Sequence, residues 1–263
     1  MKIAYVGIDI LKSVLDAALS QNCEILKLYT CETDNVTEFN TGVLETARRH
    51  GIPVSLDRVS QAELSSLARQ GCELLLCAGY YHRLPVCDDF AMVNVHPAPL
   101  PQCRGAWPMP LILLGAYPVG GVAFHKVARD FDAGDILLQE RFALSPSDTL
   151  EDYMRKLDAR VPAMVRALLA DLPGCLRRAV AQGEGRYLPN PDERAWTVNA
   201  CMRVEEADRI LRAFYGYECI YCRGEARYEL IGARAVRGER REPFPLEDGC
   251  ILATKTKRLT NAV

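Results

Sequence analysis

Cys72-Glu73-Leu74-Leu75-Leu76-Cys77-Ala78-Gly79 is a near-continuous apolar run closed by a glycine. A short run of this kind, without alternation, reads as a strand buried on both faces. The same grammar recurs on either side of it. Upstream, Lys2–Val6 is a short buried strand ended by Gly7, and Ile10–Leu19 has helical spacing. Cys23–Thr30 is the next strand. A helix over Val43–Arg49 leads to the short strand Gly51-Ile52-Pro53-Val54, and Gln61–Arg69 is helical. Downstream, Ala91–Val95 repeats the pattern. Strands apolar on both faces, alternating with helices, predict an α/β fold with a parallel sheet covered by helices.

After Pro101 the rhythm changes. Trp107–Leu114 reads as a helix with proline inside it. Gly120–Val127 and Ile136–Phe142 are strands joined through a loop at Asp132. Ser147 is placed to cap a long helix reaching Leu169, with Glu151 and Asp152 in its first turn. Pro173–Pro191 is richer in Gly, Pro and Arg and reads as a surface linker. Beyond it, Val204, Ala207, Ile210, Leu211 and Phe214 fall at helical spacing. Glu218–Tyr221, Ala226–Ile231, Ala233–Arg237 and Cys250–Thr254 predict strands of a small, imperfect barrel or sheet. The expected division is therefore 1–172, a linker at 173–188, and a small C-terminal domain over 189–263.

The bulk properties exclude more than they identify. With 263 residues and 49% hydrophobic content, the chain can bury a core of about 150–200 residues plus a smaller appendage. A formal charge of −2 gives no excess that argues for a polyanion partner. No run approaches the ~18 apolar residues of a membrane span. The N-terminal apolar run is interrupted by Asp9, Lys12 and Asp16, so it reads as strand then helix, not as a targeting segment. The 11 cysteines are odd in number and scattered through apolar segments, which fits reduced cytoplasmic thiols. Cys219-x-x-Cys222 has no second pair at ligand spacing, so no metal is expected. Gly7-Ile8-Asp9-Ile10 lacks the dinucleotide glycine pattern.

The polar residues concentrate in one stretch: Asn94-Val95-His96-Pro97, Leu100-Pro101, Arg104-Gly105, then Phe131-Asp132-Ala133-Gly134-Asp135. Period two puts Asn94 and His96 on one strand face, at the carboxyl end of a parallel strand, where open α/β sheets bind ligands. Gly134 permits a tight turn that aims Asp132 inward. Asp130 and Asp135 are equally acidic, and spacing alone does not choose among the three.

In residue type and order, these motifs resemble the folate-dependent formyltransferases, among them the methionyl-tRNA, glycinamide-ribonucleotide and sugar-nucleotide enzymes. The similarity runs from the first strand to about Glu140. It implies a parallel-sheet, Rossmann-like formyltransferase domain with a small mixed C-terminal domain. It implies Asn94, His96 and Asp132 as the catalytic residues and N10-formyltetrahydrofolate as co-substrate. A protonated or donating His96, oriented by Asp132, would steady the oxyanion together with Asn94. The pterin would be held by the loops Tyr80, Tyr81, His82, Arg83, Leu84, Pro85 and Ala128, Arg129, Asp130, Phe131, mainly through backbone. Ile8, Lys12, Arg104, Trp107 and Met109 would lie on the acceptor side, with Lys12, Lys126 and Arg104 as phosphate donors.

The acceptor implied is a primary amine, and three readings compete. One is a small molecule, a nucleotide-linked amino sugar or another amine metabolite of natural-product biosynthesis. One is methionyl-tRNA. One is a non-enzymatic folate-binding relative, which would be expected to lack one of the three polar residues. Against tRNA, Arg223, Arg227, Arg234, Arg237, Arg240 and Arg241 are interspersed with Glu218, Glu225, Glu229, Glu239 and Glu242, without a basic stripe. Tyr215, Tyr217 and Tyr221 fit either hydrophobic filling or a platform for a nucleotide base. A homodimer is the base-rate expectation.

Overall fold

The structure is a computed structural model and describes residues 1–35, 38–217 and 219–259. The chain forms two compact units. The first comprises Met1–Ala106, Gly121–Phe142 and Lys156–Tyr187; the second comprises Trp107–Gly120, Ala143–Arg155 and Leu188–Val263.

The first unit is built on strands β1 (Lys2–Gly7), β2 (Glu24–Tyr29), β3 (Val54–Ser55), β4 (Leu74–Ala78), β5 (Ala91–His96), β6 (Val119–Lys126) and β7 (Ile136–Ala143). They form one sheet in the order β3-β2-β1-β4-β5-β6-β7. Five strands are parallel, as expected, but β5 and β6 run antiparallel. The sheet is therefore mostly parallel. All five residues of β4 are buried, as an unalternating apolar run requires, and each of its leucines contributes about 1.5–3 kcal/mol of hydrophobic stabilisation.

Helices α1 (Lys12–Ser20), α2 (Thr41–His50) and α3 (Gln61–Arg69) alternate with the first strands. The N-terminus of α2 is capped from a distance. The Asp9 carboxylate accepts the Gly42 and Val43 amides, each at 2.7 Å, satisfying two orphan donors next to the positive helix end. Helix α4 (Pro108–Leu114) opens on proline, where a missing N–H costs no bond.

The long helix expected from Ser147 is two helices, α5 (Leu150–Asp158) and α6 (Val161–Ala170). Pro162 has no N–H to continue the first. The cap is Thr149, not Ser147. The Thr149 amide donates to Asp152 Oδ2 at 2.9 Å and the Asp152 amide to Thr149 Oγ1 at 3.2 Å, a reciprocal capping box. Residues 173–177, read from sequence as the start of the linker, belong to helix α7 (Leu172–Arg177). Further on, Val180 pairs with Ile136 through two backbone bonds of 2.8 and 2.9 Å.

The second unit carries β8 (Thr197–Asn199), α8 (Val204–Ala213), β9 (Cys219–Arg223), β10 (Ala226–Ile231), β11 (Arg234–Arg237), β12 (Pro245–Leu246), β13 (Gly249–Leu252) and β14 (Lys255–Leu259). They make a four-stranded sheet, β14-β10-β9-β8, and a three-stranded one, β11-β13-β12. Glu218, expected to open a strand, and residues 260–263 lie outside the described residues. Strands β8, β12 and β14 had no strong sequence signal: two are very short, and Lys255–Leu259 is largely exposed and basic. Among the described residues, no helix is long and apolar enough to cross a membrane.

Candidate active site

The register of the sheet assembles the site. Asn94 and His96 are two residues apart on β5 and share a face. Asn94 lies opposite Cys77 on β4 and opposite His125 on β6. Cross-strand partners share a face, so Cys77, Asn94 and His125 form one row. Asn94 Nδ2 is 3.0 Å from His125 Nε2.

Asp132 reaches this row from the loop after β6. Its Oδ1 is 3.5 Å from His96 Nδ1 and 3.6 Å from His125 Nε2. Its Oδ2 accepts the Gly105 amide at 2.9 Å. Gly134 plays a different role from the one expected. It is Asp132 itself that adopts a positive φ, +52°, a conformation uncommon for a residue with a side chain. Gly134 is needed for close approach, because a Cβ there would sit 1.9 Å from the Lys126 carbonyl oxygen. Of the neighbouring acids, Asp135 pairs with Lys126 at 2.9 Å and Asp130 is exposed.

Carbonyl partners set the protons of both imidazoles. His96 Nε2 lies 2.6 Å from the Cys103 carbonyl oxygen, so it carries the hydrogen and donates. His125 Nδ1 likewise donates to the Lys126 carbonyl, at 2.8 Å. When neutral, His125 therefore presents a bare Nε2 that accepts from Asn94. Burial lowers the His96 pKa, and Asp132 opposes that shift without overcoming it. Burial pushes the Asp132 carboxyl up, but the neighbouring His96 and His125 rings and the Gly105 amide outweigh it and hold the group below its usual range. Burial, reinforced by the Asp132 charge, pushes the Cys77 thiol up to about 12. The resting site thus holds a carboxylate, a neutral His96 and a neutral thiol. Asp132 favours the cationic form of His96, but desolvation of the buried ring dominates.

The two loops expected to hold a ligand come together. The Arg83 guanidinium lies 4.8 Å from the centre of the Phe131 ring, a cation–π contact. Tyr80 packs edge-on against His82 at 5.3 Å. Leu84 is buried in the core and Tyr80 packs against it, whereas Tyr81 and Phe131 are each 47% exposed. Among the described residues, no hydrogen bond engages the backbone of His82–Val86 or of Ala128–Phe131. Their N–H and C=O groups are left for solvent or a ligand.

The acceptor-side residues are mostly engaged elsewhere. Ile8 is 1% exposed. Lys12 Nζ is 2.7 Å from Asp16. Arg104 donates through Nε and Nη2 to Gln182 Oε1, at 3.0 and 2.9 Å, and to the Gly183 carbonyl. Trp107 and Met109 belong to the second unit. There Trp107 stacks on Trp196 with ring centres 6.5 Å apart and packs on Tyr217 at 5.1 Å, and Met109 is buried.

Sequence reasoning missed two residues. His125 sits next to the last position of an apolar strand, one of only four histidines, and that placement was its signal. Gln182 had none: it lies in a segment read as linker, yet bonds the Asp132 and Gly134 carbonyls at 2.8 and 2.6 Å. Among the described residues, no group of three or more His, Cys, Asp and Glu side chains is placed to hold a metal.

Known proteins carry the same arrangement of elements. A methionyl-tRNA formyltransferase from Lactobacillus johnsonii is 27% identical over 213 residues, covering 76% of this chain and 68% of the relative. HypX from Aquifex aeolicus, in complex with tetrahydrofolic acid, superposes with a TM-score of 0.71 at 15% identity. It covers 97% of this chain, which spans only 44% of HypX. An N-formyltransferase from Helicobacter canadensis, in complex with folinic acid and dTDP-3-aminofucose, gives a TM-score of 0.68 at 15% identity over 96% of this chain and 98% of its own. At 15% identity the last two likenesses show the fold. The model of the formyl transferase family matches residues 36–168, half of the chain and the part that supplies Asn94, His96, His125 and Asp132. With that match over this sheet and this polar cluster, the chain belongs to the formyl transferase family.

Proposed function

We propose that this chain transfers a formyl group from N10-formyltetrahydrofolate to a primary amine, and that the amine belongs to a nucleotide-linked amino sugar. The observation that carries the chemistry is the meeting of Asn94, His96 and Asp132 in one cluster around the buried His96 and His125 rings. The loops Tyr80–Pro85 and Ala128–Phe131 fit the folate. The free backbone groups of His82–Pro85 and Ala128–Phe131 match a heterocycle rich in donors and acceptors, and the Tyr81 and Phe131 rings offer apolar cover. Folate complexes of HypX and the Helicobacter enzyme support the same donor.

When bound, the donor supplies a formyl carbon open to attack by an amine. Asn94 keeps one Nδ2 hydrogen beyond the one engaged by His125 and donates it to the oxygen on which charge develops. One such donor contributes about 3–4 kcal/mol to the transition state. His96 has no free N–H in its resting form, because its only one is held by the Cys103 carbonyl. It acts instead through Nδ1, which with Asp132 Oδ1 forms a pair of acceptors 3.5 Å apart. The proton shed by the amine goes to this pair, which returns one to N10 as the bond between N10 and the formyl carbon breaks and tetrahydrofolate leaves. Once it is on Nδ1, imidazolium faces carboxylate, and the ion pair is stabilised by the same low dielectric that kept His96 neutral.

The acceptor is argued from charge. In the second unit Arg203, Arg212, Arg223, Arg227 and Arg237 each face a carboxylate, among them Arg227–Glu193 and Arg237–Glu205 at 2.7 Å. Arginines interspersed with carboxylates in this way do not concentrate positive charge on one surface, as a cradle for a long polyanion requires. In the first unit the pairs Lys12–Asp16 and Lys126–Asp135 are partly exposed and weak enough, at about 0–1 kcal/mol, to open for a diphosphate. The second reading, methionyl-tRNA, is favoured by the Lactobacillus relative. The test is to incubate the protein with N10-formyltetrahydrofolate and a panel of nucleotide amino sugars, with initiator methionyl-tRNA in parallel, and to follow formyl transfer by mass. Transfer to a sugar is expected. Transfer to the tRNA alone selects the second reading, and transfer to no amine overturns both.

A further inference from the structure

We propose that Gln182 is a positioning residue for Asp132, so that a segment outside the part matched to the family completes the site; this rests on the catalytic role proposed for Asp132. Every polar atom of the Gln182 amide has a partner. Nε2 donates to the Asp132 carbonyl at 2.8 Å and to the Gly134 carbonyl at 2.6 Å. Oε1 accepts from Arg104 Nε and Nη2 at 3.0 and 2.9 Å. Two carbonyls on one side and a guanidinium on the other leave no doubt which end of the amide carries nitrogen.

The loop it grips needs holding. Asp132 is in a left-handed conformation at φ +52°, which is uncommon for a residue with a side chain and persists only where its surroundings impose it. Gln182 clasps the turn from outside at residues 132 and 134, while the Gly105 amide holds the carboxylate from inside at 2.9 Å. Arg104, next to Gly105, is bonded to Gln182 in turn. The loop bearing the carboxylate and the loop bearing its amide donor are thus tied through one side chain. The strap is itself anchored on both sides. Val180 pairs with Ile136 through two backbone bonds, and the Arg104 amide donates to the Arg186 carbonyl at 3.1 Å. Without the amide, the turn can relax and carry Oδ1 away from His96 Nδ1.

The test uses the full chain with Gln182→Met, which keeps length and removes the polar atoms, and Gln182→Glu, which keeps the bond to Arg104 but loses both donors. Gln182→Glu serves alone if Gln182→Met does not fold. In both, kcat should fall about 10²-fold, the usual cost of a 1 Å misplacement, with KM for donor and acceptor changed by less than about threefold. In an Asp132→Asn background, either substitution should lower kcat by less than about twofold more, the signature of residues acting as a unit. An unchanged kcat, or a full further 10²-fold loss in that background, would overturn the proposal. Amide hydrogen exchange gives a readout independent of activity. Exchange should rise at least about tenfold at the Gly105 amide, which Asp132 Oδ2 accepts, while the strands stay protected. Unchanged exchange there overturns the clamp even in a protein that formylates nothing, whereas raised exchange with no wild-type transfer faults only the proposed reaction.

Discussion

One face of the large sheet contains two kinds of interior. A single transverse row runs from Val6 on β1 to Cys77 on β4, Asn94 on β5 and His125 on β6. Its β1–β4 half belongs to a core with Ala4, Leu64, Leu67 and Leu75, each 0–1% exposed. Its β5–β6 half is about as well buried at the histidines, with His96 at 3% and His125 at 2%, yet it is polar. The apolar half gains stability from every atom removed from water. The polar half gains little, because each desolvated group regains only the hydrogen bond it gave up. Its partners are therefore closely specified: the carbonyls of Cys103 and Lys126, the Gly105 amide, and the side chains of Asn94, His96, His125 and Asp132 themselves. The first half holds the fold, and the second holds a geometry on which chemistry can run.

The largest effect should separate the halves by function. His96→Ala is expected to lower kcat by about 10³-fold while the affinity for a stable reduced folate, measured by calorimetry, changes by less than about threefold. An unchanged rate would remove His96 from the mechanism and leave the polar half a structural curiosity.

A matched pair sharpens the contrast in stability. Leu75→Ala, in the apolar half, should cost about 2–5 kcal/mol in urea unfolding, with kcat of the folded protein near wild type. His125→Phe, in the polar half, should cost only about 1–2 kcal/mol, for the groups it leaves unpaired, but lower kcat about 10²-fold by releasing the Asn94 amide. If the two substitutions affect stability and kcat in the same proportion, the division fails.

Acid should reveal the polar half next. The His96 pKa is lowered in the folded state, so below about pH 6.5 the unfolded chain takes up that proton first. Stability from this group is present at higher pH and declines as pH falls from about 6.5 through the folded value. The Asp132 pKa is also lowered. Its contribution is present above its unfolded value of about 3.9 and is lost as pH falls through the folded one. In His96→Asn the decline below about pH 6.5 should flatten, measured as the urea midpoint against pH. A profile identical to wild type would show that His96 titrates alike in both states.

The smallest effect sets a baseline outside both halves. Thr149→Ala removes the reciprocal cap of α5 and should cost about 1 kcal/mol with no change in kcat. Ser147→Ala should fall within about 0.5 kcal/mol of wild type. The reverse order would restore Ser147 as the cap.

The sequence by itself determined the strands and one edge of the site. Unalternating apolar runs such as Leu74–Ala78 have no stable place except between two covering layers, so they announce a buried sheet. Period two put Asn94 and His96 on one face before any partner was known. Local chemistry also explains where the expectations slipped, since Thr149 and Asp152 formed a better cap than Ser147 and Pro162 broke the helix.

Only the tertiary structure decided among Asp130, Asp132 and Asp135, because the choice depends on which carboxylate a left-handed turn brings to two imidazoles. Only it brought in His125, through the antiparallel register of β5 with β6, and Gln182, 50 positions along the chain from Asp132. It also decided the state of His96. The residue type is compatible with acid, base or donor, and what selects among them is burial together with a carbonyl seven residues away. Hydrophobic burial depends on pattern and survives in a one-dimensional reading. A hydrogen bond depends on direction and distance between two particular atoms, and those exist only once the chain has folded.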